Sequence, residues 1–229
     1  MRRDQVLVFD ADDTLWENNV VFERVIADFL RWMEHPTLDT AGRRAVLDEI
    51  QAANALTHGY GSRMLVRSLG DCVASLRGRP ATAAEIDGIN ELAAVLIDHQ
   101  VELVPGAAET LAQLSTRHRL FLLTKGHVEE QRRKIDSSGL APLFEAVEIV
   151  PEKDDATYRR FINAYGLTPA ASWMIGNSPK SDILPARRAG MNAVFIPNDH
   201  TWVLEQTELD RSDTGVLHLR ALTGLVGHF

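Results

Sequence analysis

The chain has a single cysteine, Cys72, in 229 residues. That excludes an internal disulfide framework and any Cys-rich zinc site. Cys72 lies in an apolar helical stretch and reads as a buried, inert thiol. The eight histidines show no metal-ligand spacing. Long hydrophobic runs are missing as well, and no segment reaches transmembrane length. Arg2 and Arg3 lead into a short apolar run that ends in acid, which is not a signal-peptide pattern. The expected setting is the cytoplasm. Positive charge is in deficit. A net charge of −8 argues against a nucleic-acid or anionic-membrane partner. It leaves an anionic substrate open, because a local metal ion can dominate the field of a site. There is no internal repeat and no low-complexity tract.

The apolar content, 45%, is ordinary for a globular protein. The length allows one large domain, or one domain with an inserted module. The most informative stretch is Val6 to Trp16, VLVFDADDTLW. Val6 to Phe9 is too short for a helix and reads as a strand buried on both faces. It ends in Asp10, Asp12 and Asp13. Close carboxylates raise one another's pKa unless a cation or fixed donors offset the repulsion. The spacing therefore asks for a divalent metal, and oxygen ligands suit Mg²⁺.

Further along, the spacing predicts helices over Asn19 to about His35, Thr40 to about Thr57, and Ser62 to about Leu76. A Thr82/Glu85 capping box opens a fourth that reaches about His99. Residues 17–102 thus read as one all-helical insert. From Pro105 the pattern alternates between helix and strand. Apolar runs at Leu120–Leu123, Ala146–Val150, Ser172–Ile175 and Asn192–Ile196 read as strands, with helices between them. Val216–Leu219 reads as a short strand before a final helix. Alternation with short connections predicts a Rossmann-like parallel sheet with helices on both faces. The expected division is a core of 1–16 and 103–229 and a helical insert of 17–102.

Right-handed crossovers bring the strand ends to one rim. Four apolar runs each end in a polar cluster: Asp10 and Asp12; Thr124 and Lys125; Lys153; and Asn177, Ser178 and Asp182. Asp10 can act as a nucleophile, Thr124 and Lys153 can hold anionic oxygens, and Asn177 and Asp182 can complete an oxygen shell for a metal. Phosphoryl transfer needs such a set.

With DADDTL after the first strand, Thr124-Lys125, Lys153 and GNSPKSD after the fourth, the sequence resembles the haloacid dehalogenase superfamily. The insert falls where some members carry a helical cap. The resemblance implies an aspartyl-phosphate on Asp10 and an acid/base role for Asp12, whose carbonyl would also bind Mg²⁺. It implies that Thr124 and Lys153 bind the phosphoryl group, and that Asn177 and Asp182 serve the metal. Asn177 stands where the family often has Asp, which removes one negative charge from the metal shell. Carbon–halogen hydrolases of the superfamily in general lack the second Asp, so Asp12 favours a phosphatase or a phosphomutase. The implied substrate is a small phosphomonoester. A weakened binding or regulatory protein is the remaining alternative, and a monomer and a homodimer are both compatible with the sequence.

Lesser signals are ambiguous. Lys125 either adds charge at the phosphate rim or faces solvent. Tyr60, in the Gly59–Gly61 loop, either senses substrate or marks a plain turn. Trp16 either shapes the leaving-group pocket or packs as a hinge. Asp13 is expected to support its turn. The run Arg132, Arg133, Lys134 is expected to be a solvated helix face, and Asp199 to Trp202, on the same rim, either closes over the site or is a plain loop.

Overall fold

The computed structural model describes residues 4–98 and 101–229. Six strands form one sheet: β1 (Val6–Phe9), β2 (Arg119–Lys125), β3 (Ala146–Val150), β4 (Ser172–Gly176), β5 (Asn192–Phe195) and β6 (Val216–His218). Their order is β3-β2-β1-β4-β5-β6, and every neighbouring pair is parallel. This is the expected Rossmann-like arrangement.

The sheet is buried on both faces because alternate residues feed two apolar layers. Leu7, Phe9, Leu120, Leu122 and Ile175 pack with Leu111 and Leu114 of helix Ala107–Ser115 and with Leu222 and Leu225. On the other face Val8, Phe121, Leu123 and Met174 pack with Tyr158, Phe161 and Ile162 of helix Asp155–Ala164. The four residues of β1 are all buried, as the sequence predicts.

The chain divides into two compact units, Met1–Asn19 with Val101–Phe229, and Val20–Gln100. The second contains α1 (Asn19–Trp32, whose first residue belongs to the other unit), α2 (Thr40–His58), α3 (Ser62–Arg77) and α4 (Ala83–Asp98). They enclose their own core around Phe29, Met33, Leu47, Leu65, Leu69 and Ile89. Cys72 is fully buried there. Thr82 and Glu85 form a reciprocal capping box: the Thr82 N–H donates to Glu85 Oε2 at 2.8 Å, and the Glu85 N–H donates to Thr82 Oγ1 at 3.3 Å. The two chain crossings between the units run side by side in the sheet-bearing unit. There the Glu17 N–H donates to the Glu102 carbonyl at 2.9 Å, and the Val104 N–H donates to the Leu15 carbonyl at 2.9 Å.

Several boundaries differ from the sequence reading. β2 extends through Thr124 and Lys125, which pair with Ile149 and Val150 of β3. The predicted final helix is a 3₁₀ segment, Leu222–Gly227, with two glycines that disfavour a regular helix. The helix after GNS begins as a π turn, Pro179–Ile183, before the short regular run Leu184–Arg188. Pro185 cannot donate a backbone hydrogen bond, which limits regular pairing there. The predicted fourth-helix end at His99 lies outside the described residues.

Leu7→Ala tests the packing of the central strand. Leu7 is fully buried, and the substitution should lower stability by about 2–5 kcal/mol. Urea unfolding should give a lower midpoint with an unchanged slope.

Candidate active site

The chain builds outward from β1 in both directions, so the strand order reverses between β1 and β4. In open α/β sheets, ligands bind at the carboxyl ends of the strands beside such a reversal. Asp10 follows β1 directly and is fixed there by its own N–H, which donates to the Ile175 carbonyl of β4 at 2.9 Å. Asp10, Thr124, Lys153, Asn177 and Asp182 are all buried.

Lys153 lies between two of these carboxylates. Its Nζ donates to Asp10 Oδ1 at 2.5 Å and to Asp182 Oδ1 at 2.6 Å. Burial works against the lysine's charge, but the attraction of Asp10 and Asp182 outweighs it and raises its pKa. Burial and the nearby charge of Asp10 push the Asp182 carboxyl upward, against the pull of Lys153. The other Asp182 oxygen accepts the Ser178 N–H at 2.9 Å. Gly176 makes room for this carboxylate, since a Cβ there would sit 2.2 Å from Asp182 Oδ2.

The second Asp10 oxygen is held from another side. Thr14 Oγ1 lies 2.9 Å from Asp10 Oδ2 and 3.3 Å from Asn177 Oδ1, so one hydroxyl brings these two oxygens together. Oxygen donors of this kind fit Mg²⁺, which takes one or two carboxylates and keeps water and phosphate in its shell. Among the described residues no group of three or more His, Cys, Asp or Glu is arranged to hold a metal. The fit therefore rests on a sparse shell, with much of it left to water or to a ligand.

Asp12 turns toward the helix Val128–Ser138. Its carboxylate accepts from Lys134 Nζ at 2.8 and 2.7 Å, from Gln131 Nε2 at 2.8 Å and from Trp16 Nε1 at 2.7 Å. Burial disfavours the charge, but Lys134 and these donors hold the carboxyl below its ordinary range. Lys134 is therefore no solvated-face residue. It is the ion-pair partner of Asp12, and it also donates to Asn18 Oδ1 at 2.9 Å. Trp16 both packs in the core and positions Asp12.

Asp13 adopts a left-handed φ of 63°, and its Oδ1 accepts the Asn18 and Asn19 N–H groups at 3.0 and 2.9 Å. Burial, with repulsion from Asp12 and Asp10, pushes its carboxyl up to about 7. It supports the turn, as expected.

Lys125 is neither solvent-facing nor unpaired. Its Nζ donates to Glu205 Oε1 at 2.6 Å and to Ser181 Oγ at 2.8 Å, with Glu152 Oε1 at 3.3 Å. The loop Asp199–Trp202 is also more than a connection, because Asn177 Nδ2 donates to Thr201 Oγ1 at 3.3 Å. Tyr60 belongs to the Val20–Gln100 unit, between Gly59 and Gly61, whose φ values of 73° and 114° suit glycine.

Sequence reasoning missed Thr14, Gln131, Lys134, Thr201 and Glu205. For Gln131 and Lys134 a signal existed: with Ile135 they lie three and four residues apart, and Ile135 is the buried apolar residue of that face.

An Asp-x-Asp turn after a central parallel strand, its first carboxylate buried and tied to Asp182 through Lys153, is the core of the site. The family model for haloacid dehalogenase-like hydrolases matches residues 5–190, and the chain belongs to that family. It is 26% identical to phosphoserine phosphatase of Thermus thermophilus, over 84% of this chain and 88% of that protein. It is 27% identical to glyceraldehyde 3-phosphate phosphatase of Pyrococcus furiosus, over 86% of this chain and 82% of that protein. In fold it is similar to a haloacid dehalogenase-like family hydrolase from Xanthomonas campestris, with a TM-score of 0.84 and 25% identity, covering 100% of this chain and 95% of that one. Other neighbours in fold include dehalogenases at 15% to 20% identity, a likeness of fold alone.

Lys134→Met should cost about 1–3 kcal/mol at pH 7, because it leaves the Asp12 carboxylate without its cation. Asp12 is depressed in the folded protein. The ion pair therefore contributes fully above the ordinary Asp value of 3.8, and its contribution is lost as the pH falls through the folded value. Urea unfolding of parent and variant should differ most at neutral pH, and the difference should shrink in acid.

Proposed function

We propose that the chain is a Mg²⁺-dependent phosphatase acting on a small phosphomonoester through an aspartyl-phosphate on Asp10. The observation that carries this reading is the buried Asp10 carboxylate, fixed by Lys153 on one oxygen and by Thr14 on the other. Such a carboxylate is aimed rather than free to rotate, which an in-line nucleophile requires.

An Asp10 oxygen attacks phosphorus and the ester P–O bond breaks. The leaving oxygen takes a proton from Asp12. Water then gives a proton to the Asp12 carboxylate and attacks phosphorus, the P–O bond to Asp10 breaks, and inorganic phosphate leaves. Lys153 and Thr124 hold the phosphoryl oxygens. Paired with Lys134, Asp12 is in its ionised form, the form that receives the proton from water. Acting as the acid requires a turn away from Lys134 and uptake of a proton. An alkoxide leaving group needs that proton and a halide does not, so Asp12 supports phosphate-ester over carbon–halogen hydrolysis.

Charge balance supports the metal. Lys125, Lys134 and Lys153 are each already paired with carboxylate, from Glu205, Asp12, Asp10 and Asp182. A phosphomonoester dianion thus meets cations that are already neutralised. Asp10, Asn177, Asp182 and the Asp12 carbonyl would hold Mg²⁺. When bound, the cation supplies the missing positive charge to the phosphoryl oxygens. The Val20–Gln100 unit is proposed as a cap that sorts substrates, with Tyr60 as a candidate contact.

The test is phosphate release from a panel of phosphomonoesters with Mg²⁺. Phosphoserine and glyceraldehyde 3-phosphate head the panel, since they appear in the names of its relatives. Release should vanish with EDTA and fall by roughly 10³-fold or more in Asp10→Asn. Silence across the panel at millimolar Mg²⁺ would sink the reading. It would favour a weakened regulatory protein, for which Asn177 is the supporting feature.

Asp12→Asn provides a second check, on the acid. It should lower turnover of an alkyl phosphate by roughly 10²–10⁴-fold. With p-nitrophenyl phosphate, whose leaving group needs little protonation, the first step should suffer much less. Equal losses in that step for both esters would remove Asp12 from the acid role.

A further inference from the structure

Glu205 lies beyond the segment matched by the family model, which ends at residue 190. It sits in a short 3₁₀ turn, Val203–Glu205, yet it is buried. One carboxylate oxygen accepts from Lys125 Nζ at 2.6 Å. The other accepts from Ser178 Oγ at 2.6 Å and from Ser181 Oγ at 2.5 Å. The adjoining Leu204 carbonyl accepts from Lys180 Nζ at 3.0 Å. This segment is therefore stapled along the turn that leads into Asp182.

That turn carries the site's geometry. Ser178 Oγ accepts the Ser181 N–H at 2.9 Å, and the Ser178 N–H donates to Asp182 at 2.9 Å. Asp182 in turn shares Lys153 with Asp10. A continuous set of hydrogen bonds thus runs from Glu205 through Ser178 and Asp182 to Lys153 and the proposed nucleophile. Glu205 also neutralises Lys125, the cation at the end of β2 next to Thr124.

We propose that Glu205 is a positioning residue of the active site, which holds the 178–182 turn and Lys125 in place so that Asp182 and Lys153 fix Asp10. The proposal rests on the phosphatase reading for its kinetic consequence, but not for its structural one. Glu205 does not touch the reacting atoms, so its loss should act on turnover more than on substrate binding.

The experiment compares the parent chain with Glu205→Ala, Glu205→Gln, Lys125→Met and the double variant Lys125→Met/Glu205→Ala. Hydrogen exchange reads the turn, and steady-state kinetics with p-nitrophenyl phosphate and Mg²⁺ read the site. In Glu205→Ala the amides of Ser181 and Asp182 should exchange about tenfold faster or more, with β1 amides unchanged. The kcat per folded enzyme should fall about tenfold or more, with KM within about threefold. The double variant should be no slower than Glu205→Ala, since the two residues act as one unit.

Unchanged exchange in the turn overturns the proposal. Faster exchange with unchanged kcat also overturns it, because Glu205 is then a structural prop only. Losses from Lys125→Met and Glu205→Ala that multiply overturn the shared unit. If the alanine variant does not fold, Glu205→Gln keeps the volume, loses the charge, and is read in the same two ways. A parent inactive on every ester defeats the phosphatase reading, and the exchange measurement then still decides whether Glu205 holds the turn.

Discussion

Lys153 holds two buried carboxylates at hydrogen-bond distance from a single ammonium group. Removing such a cation would leave Asp10 and Asp182 to repel each other in a poorly solvated place, which costs several kcal/mol in comparable buried pairs. The constraint reaches outward from there. Asp10 can lie at the centre of the rim only because β1 is the central strand, and Asp182 can approach only because residue 176 has no Cβ. The turn that delivers Asp182 is a π turn, a rare form that is frequent at functional sites.

Charge is organised as three local neutralisations rather than as one positive basin. Lys153 serves Asp10 and Asp182, Lys134 serves Asp12, and Lys125 serves Glu205. Lys125 ends β2, Lys134 lies on the helix Val128–Ser138 and Lys153 in the loop after β3, and each reaches a carboxylate far from it in sequence. The pairs therefore fasten the strand ends to one another as well as balance charge.

Much of the frame was legible in the sequence. Short apolar runs ending in polar residues marked the strands, and parallel connectivity brought Asp10, Lys153 and Asp182 together. What stayed hidden depended on rotation or on irregular chain. In the run Arg132, Arg133, Lys134, each step along a helix turns about 100°, so only one of the three faces Asp12. The buried Ile135 gives the register, but it does not identify the partner across the gap. Lys125 could not be assigned because its counter-ion, Glu205, lies in a short 3₁₀ turn with no periodic signal. The final helix failed for a local reason, the two glycines within Leu222–Gly227.

The position of β1 also sets the order in which the molecule can assemble. It is made first, yet its partners are residues 119–122 and 172–175. The Val20–Gln100 helices, by contrast, have a core of their own drawn from neighbouring chain. During synthesis they can pack while the first strand still waits for both neighbours. Pairing at such sequence distance is slow, and an unpaired apolar strand is prone to association meanwhile. In this chain the acidic cluster that begins at Asp10 directly follows that strand, so the growing chain carries a charged guard beside an apolar segment.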